Sequence, residues 1–299
     1  MKEYYPSVGV KRLCGLFGKS RQAYYDQANR NEFARFEEAL IVDLVKAQRA
    51  VLPNVGGIKL LHLLKDDFVA HKITIGRDSF FELLRKYDLL IKRKRRYVRT
   101  TDSNHYFYKW PDLTKSFKLK ASEQLWVSDI TYLRTETGFV YLSLVTDAWS
   151  KKIVGHHLSQ YLKAEGCLAA LSKAIMSLAS SKRPVHHSDR GIQYCCEAYV
   201  AVLQENGIGI SMTQTGSPYD NAVAERVNGI LKTELNLDKT FRSYSDAVGA
   251  VHGAIDAYNR VRPHMSCGNL TPERAHQTKE PLKKIWKSKT YCKAKSVLL

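Results

Sequence analysis

The sequence predicts an α/β domain preceded by a small all-α region. Three observations lead there. From about residue 123, β-rich and helical patterns alternate in the order βββ-α-β-α-β-α, which is the signature of a mixed sheet with helices on its faces. Residues 8–100 instead carry only short amphipathic helical patterns. The stretch between them sustains neither period. A chain of 299 residues is long enough for two domains. At 44% apolar and 25% charged residues it has the composition of a globular protein, not of a disordered one.

The front region is read first. Val10 to Phe17 has apolar positions at helical spacing, followed by a turn at Gly18-Lys19-Ser20 and a second helix over Arg21 to Tyr25 that Ser20 caps. This resembles half of a helix-turn-helix and gives a segment over 1–30. Glu37 to Arg49 is amphipathic through Leu40, Ile41, Leu44 and Val45, and Pro53 to Gly57 breaks it. Helices over Ile58 to Leu64 and Ser79 to Tyr87 complete a helical DNA-binding domain over 31–100. A plain helical bundle has the same periodicity, and the charge favours DNA. Residues 101–122 read as a linker.

In the third zone, Leu125 to Leu133 and Phe139 to Thr146 flank a turn at Arg134 to Gly138, and Ile153 to Leu158 follows, which suggests a meander. A helix over Ala164 to Ala179, a strand Val185 to Ser188, a helix Glu197 to Asn206, a strand Ile208 to Met212 and a helix Asn221 to Leu235 come next. The domain is bounded at 123–285, and 286–299 is a basic tail.

The net charge is +18, with +11 over residues 1–125 and +7 over the remainder, and such an excess calls for a polyanionic partner. The densest run is Lys92-Arg93-Lys94-Arg95-Arg96. It reads either as a solvated helix end or as a DNA contact. No apolar run reaches the ~20 residues of a membrane span, so no membrane partner is expected. The six cysteines form no C-x-x-C pair, which argues against a zinc finger and fits reduced thiols in the cytoplasm.

Three acids stand out. Asp129 lies within an apolar strand, where a carboxylate is costly unless paired, protonated or metal-bound. Asp189 follows a short strand, and strand ends in α/β sheets commonly carry ligand groups. Glu225 lies on the helix from Asn221, sharing a polar face with Asn228 and Lys232. Thirty-five residues separate Asp189 from Glu225. Asp147 reads as structural, Asp220 and Asn221 as helix caps, and either His186 or His187 as facing the site. Tyr258, Arg262 and His264 either meet DNA or pack a C-terminal helix.

At this point the chain closely resembles the integrase-core transposases, the superfamily of retroviral integrases and insertion-sequence transposases. The residues that carry the resemblance are Trp126-Val127-Ser128-Asp129-Ile130-Thr131-Tyr132, His187-Ser188-Asp189-Arg190-Gly191-Ile192-Gln193-Tyr194 and Ser217 to Asn228 around Glu225. Tyr258-Asn259-Arg260-Val261-Arg262-Pro263-His264 with Thr271-Pro272 completes the set, and Leu16 to Tyr25 and Gly56 to Leu61 match in the front region. The pattern points to transposases of the OrfB type. Val55 stands where that group has an aromatic, and a packing effect is expected.

The resemblance implies a ribonuclease-H-like core with a mixed five-stranded sheet and a DNA transposase that cuts and joins DNA at insertion-sequence ends. It implies Asp129, Asp189 and Glu225 as catalytic acids and metal ligands for two Mg²⁺ ions, with Mn²⁺ as a substitute and Asp129 shared between them. Without metal, crowding should raise at least one carboxyl pKa. DNA contacts are expected from Lys232, Asn228, Arg93, Lys94, Arg95, Arg96 and Arg262. The expected partners are DNA, a second copy of the chain on DNA, and a DNA-binding protein or fusion segment from an upstream frame. The setting implied is the bacterial cytoplasm, at the nucleoid. The alternatives are a catalytically inactive DNA-binding regulator or relic, which the intact acids disfavour, and a nuclease acting on RNA–DNA hybrids, which the helical front region disfavours.

Overall fold

A computed structural model describes residues 4–91, 107–114, 117–179, 181–214 and 221–285. The basic run 92–96, Asp220 and the tail 286–299 lie outside the described residues. The chain divides into two compact units, Met1–Val51 with Val55–Lys92, and Leu52–Asn54 with Arg93–Leu299.

The first unit holds α1 (Val10–Leu16), α2 (Arg21–Val51), α3 (Gly57–Leu63), α4 (Lys65–Ala70) and α5 (Arg77–Lys86). Ser20 caps α2 as expected, its Oγ accepting from the Ala23 N–H at 3.0 Å. The expected helix end near Tyr25 and the domain boundary at residue 30 are both corrected, because α2 runs unbroken for 31 residues. No Gly or Pro interrupts Arg21 to Val51, and the polar stretch Asp26 to Glu32 is compatible with a helix exposed to water. Leu60, Leu64, Phe68, Phe80 and Leu84 are buried, and Val55 is buried with them. Gly57 is small for a reason, since a Cβ there would lie 2.8 Å from the Phe81 ring.

The second unit is built on a sheet of β1 (Leu125–Thr135), β2 (Gly138–Asp147), β3 (Ile153–Ser159), β4 (Val185–Ser188), β5 (Gly209–Met212) and a short β6 (Thr240–Phe241). The strand order is β3-β2-β1-β4-β5, with β2 antiparallel to both neighbours and β4 and β5 parallel to β1. This is the ribonuclease-H-like topology. The expected five strands become six, because β6 pairs with β1 at Arg134 and Thr135. The helices are α6 (Ala164–Ser177), α7 (Ile192–Cys195), α8 (Glu197–Glu205), α9 (Ala222–Thr233), α10 (Tyr244–Asp256) and α11 (Pro272–Gln277), with a π-helical turn at Ala257–Val261.

One core cluster joins Trp126 and Val145 of the sheet to Cys167, Ala170, Leu171 and Ala174 of α6 and to Tyr199 and Leu203 of α8. The fit of α6 against β3 is close. A Cβ on Gly155 would lie 2.1 Å from the Ala170 carbonyl oxygen. The end of the expected linker is seated on this unit. Phe107 and Trp110 pack against the cluster, and the Met212 N–H donates to the Pro111 carbonyl at 3.3 Å.

Candidate active site

The sheet brings the two aspartates to adjacent strands. The parallel ladder pairs Trp126 with His186 and Val127 with His187. Continued for two residues, the same register sets Asp129 beside Asp189, on strands spaced roughly 4.8 Å apart. Asp129 is half-buried, and so is Asp189, just past the end of β4. Glu225 lies in the first turn of α9 and is exposed, while Ala224, Val227, Asn228, Ile230 and Leu231 face the core.

Each aspartate is oriented by neighbours. Asp129 Oδ1 accepts from the Ile130 N–H at 3.0 Å, and its Oδ2 accepts from Asn228 Nδ2 at 2.7 Å. Asp189 Oδ1 accepts from the Gly191 N–H at 3.0 Å. Burial, and then repulsion from Asp189, push the Asp129 carboxyl up to about 7. The hydrogen bonds from Asn228 and Ile130 resist that rise, and the Glu225 charge adds to it. The crowding expected from three carboxylates is therefore felt at Asp129. Among the described residues, no three His, Cys, Asp or Glu side chains are grouped tightly enough to hold a metal ion. The structure brings Asp129 and Asp189 together and leaves Glu225 as a weaker, exposed neighbour.

The remaining candidates fall into place around the acids. Asn228, expected on DNA, is instead buried on the inner side of α9 as the donor to Asp129. Asn221 is also corrected. It holds the N-cap position of α9, but its side chain makes no cap bond there, and its Nδ2 donates instead to the Ser128 carbonyl at 2.9 Å. Two buried amides, two helical turns apart, thus fasten α9 to Ser128 and Asp129. Lys232 is half-buried, its ammonium 4.3 Å from the centre of the Tyr132 ring.

Arg262, expected on DNA, is 2% exposed and forms a forked ion pair with Glu234 at 2.9 Å on both prongs. Tyr258 is buried and donates to the Lys151 carbonyl at 2.9 Å, so this motif packs the fold. His186 and His187 are both buried. His186 Nε2 sits 2.7 Å from Ser128 Oγ and 3.0 Å from the Tyr199 hydroxyl, and burial drives its pKa down to about 3. His187 Nδ1 meets Ser211 Oγ at 2.8 Å. Asp147 is structural. It accepts from the Ser150 N–H and hydroxyl at 2.7 Å and from the Glu123 N–H at 2.8 Å.

The sheet has the ribonuclease-H-like topology, with Asp129 on β1 and Asp189 just past the end of the parallel β4. Two stretches, residues 120–218 and 206–272, match the integrase core domain family. The uncharacterized 31 kDa protein of insertion element IS600 from Shigella sonnei is 32% identical over 273 residues, covering 89% of this chain and 99% of that one. The putative transposase of insertion sequence element IS986/IS6110 from Mycobacterium tuberculosis is 32% identical over 257 residues, covering 83% and 91%. The magnesium complex of the HTLV-2 integrase catalytic core, in its trimeric form, aligns at 20% identity over 52% of this chain and 97% of its own, with a TM-score of 0.42.

The chain belongs to the insertion-sequence transposases that carry an integrase core. It is a DNA transposase, a polynucleotidyl transferase of the three-acid class. Divalent metal use goes with the family, as does binding to DNA. The donor chemistry fits a hard cation: carboxylate oxygens, with the Asp129 carboxyl raised by burial and then by the charge of Asp189. Among the described residues, no helix is long and apolar enough to cross a membrane.

Proposed function

We propose that this transposase frees the 3′ ends of its insertion sequence and joins them to new DNA, using Asp129, Asp189 and Glu225 as its catalytic acids. In the first step a water oxygen bonds to phosphorus at the element's end as the bond from phosphorus to the 3′ oxygen breaks. The water gives up a proton, and the departing 3′ oxygen takes one. The element keeps a 3′ hydroxyl and the flank a 5′ phosphate. In the second step that 3′ oxygen loses its proton and bonds to a target phosphorus, and the target's own 3′ oxygen leaves and is protonated. One phosphodiester is made for each one broken.

The residues of the chain do the positioning. Asn228 and the Ile130 N–H orient Asp129, Gly191 orients Asp189, and Asn221 fixes the backbone between β1 and the helix that carries Glu225. The three carboxylates would hold two Mg²⁺ ions, or Mn²⁺ in their place, with Asp129 common to both. When bound, such ions neutralise charge at the reacting phosphorus and acidify the attacking hydroxyl. Lys232 contacts DNA phosphate. The helical region over residues 1–100, together with the basic run Arg93 to Arg96, supplies DNA affinity. Two copies of the chain hold the paired ends, with an upstream-frame DNA-binding protein or fusion segment sharing recognition.

The observation that supports this reading is the β1–β4 register, which brings Asp189, just past the end of β4, beside Asp129, whose carboxyl also accepts from Asn228 of the helix that carries Glu225. The test is Asp189→Asn in a Mg²⁺-dependent strand-transfer assay on end-bearing DNA. Transfer should vanish while binding to the same DNA stays within about threefold. A variant that still joins strands refutes the assignment.

A further inference from the structure

The longest helix of the first unit, α2, has two apolar faces, and the unit's own core takes up one of them. Ile41, Val42 and Val45 are buried. Tyr25, Asn29, Phe33, Phe36, Leu40 and Leu44 recur at spacings of four, four, three, four and four, which gathers them within about 100° of arc, roughly opposite the buried face. The stripe is bare where the rings lie. Phe33 is 64% exposed, Phe36 67% and Tyr25 51%, while Leu40 and Leu44 at one end are half-buried. A contiguous apolar stripe of this kind marks an interaction surface. Its charged borders do not suit DNA. Arg30 and Glu37 line one edge and Glu32 and Asp43 the other, so cations are not in excess.

The charges also say what covers the stripe. Arg30 and Glu37 lie on the same edge about two turns apart, roughly 10 Å along the axis, too far to pair with each other. Among the described residues neither makes an ion pair within the chain, and Arg30 donates only to Gln27 Oε1, at 3.3 Å. Two α2 helices laid antiparallel about a twofold axis satisfy both residues. Phe33 of each copy then meets Phe36 of the other, Leu40 meets Asn29, and Leu44 meets Tyr25. The same register sets Arg30 of each copy beside Glu37 of the other. A twofold contact needs a surface complementary to itself, and opposite charges placed symmetrically about the central phenylalanines supply it. We infer that two copies of this chain pair through α2, antiparallel, with Phe33 and Phe36 at the centre and two Arg30–Glu37 ion pairs on the rim. The inference rests on the proposed reading in which two copies hold the paired ends, and it names the surface between them. Aromatic side chains of ~150–250 Å² at these exposures give roughly 700 Å² of contact from the rings of both copies together. The leucines and the stems of the bordering side chains bring this to the ~1,000 Å² that a specific interface needs.

The test is sedimentation equilibrium of the full chain without DNA, at micromolar concentration, with circular dichroism as the check on helix content. The parent should be dimeric. Phe33→Asp/Phe36→Asp should be monomeric with unchanged helix content, because both rings lie outside the core. Charge reversal reads the orientation. R30E alone, or E37R alone, sets like charges together twice and should weaken pairing about 10-fold. R30E/E37R exchanges the two signs and should return to within about threefold of the parent, as should a mixture of the two single variants. A monomeric parent, a phenylalanine variant that still pairs, or a double reversal no better than the singles overturns the proposal. Energy transfer between two differently labelled end-bearing duplexes is scored separately. If the parent never brings them together, the two-copy reading fails; if the parent and the phenylalanine variant do so equally, only the α2 surface fails.

Discussion

Replacing Arg262 with alanine should destabilise the second unit severely and leave DNA recognition intact. The guanidinium is 2% exposed, gives two 2.9 Å hydrogen bonds to Glu234, and lies 5.8 Å from the centre of the buried Tyr258 ring. Removing one partner of a buried ion pair strands the other charge in a poor solvent, at a cost of about 3–5 kcal/mol. For a unit of this size each kcal/mol lowers the melting temperature by about 2–4 °C, so a drop of about 6–20 °C is expected. Differential scanning calorimetry on the full chain reads it. Arg262→Lys keeps the charge but loses the fork, and it should recover only part of the loss. The double variant Arg262→Met/Glu234→Leu removes both charges and should regain most of the stability. At 10 °C, where the single variant is still folded, its DNA affinity and salt dependence should match the parent. A normal melting temperature combined with lost DNA binding would refute the burial argument and return Arg262 to the DNA surface.

Three further outcomes are expected. Asn228→Ala should cut strand transfer by about 10- to 100-fold, the usual effect of losing a hydrogen bond to a ligand group, with DNA affinity unchanged; equal transfer would show that the Asp129 contact is idle. Burial opposes the charged His276 ring, but hydrogen bonding with Asp147 and Glu123 outweighs it and raises its pKa to about 9. Because the folded value is the higher one, this stabilisation is complete below pH 6.5 and fades as pH rises through about 9. His276→Gln should therefore flatten the decline in melting temperature between pH 7 and 9, and parallel curves for variant and parent would contradict the assignment. Gly155→Ala drives a methyl against the Ala170 carbonyl and should cost at least about 1–3 kcal/mol, read as a lowered melting temperature; an unchanged value would mean that α6 can shift freely on β3.

The α/β order was legible because alternation and helical spacing in residues 125–235 are strong, and their bounds hold to within a few residues. What escaped the sequence has definite causes. β6 has two residues, too few to carry a period. The helix read over Ile58 to Leu64 is α3, while α4, six residues long, is too short to carry a period and was not read. The polar run Asp26 to Glu32 looked like a helix end, but polarity alone does not stop a helix exposed to water. Asp129 and Asp189 stood out through residue type and strand context, and the fold brings them together. The role of Asn228 did not stand out, because its inward aim depends on how α9 lies against β1. Arg262 was misplaced for the same reason. Its partner Glu234 is 28 residues away, and only the folded chain shows the charge to be already neutralised.

The pairing of Trp126 with His186 and Val127 with His187 acts as a ruler for the chemistry two residues further on. A slip of one residue would turn one carboxylate to the opposite side of the sheet. The alignment of the two carboxylates is thereby stored in main-chain hydrogen bonds and in the apolar residues that pin them.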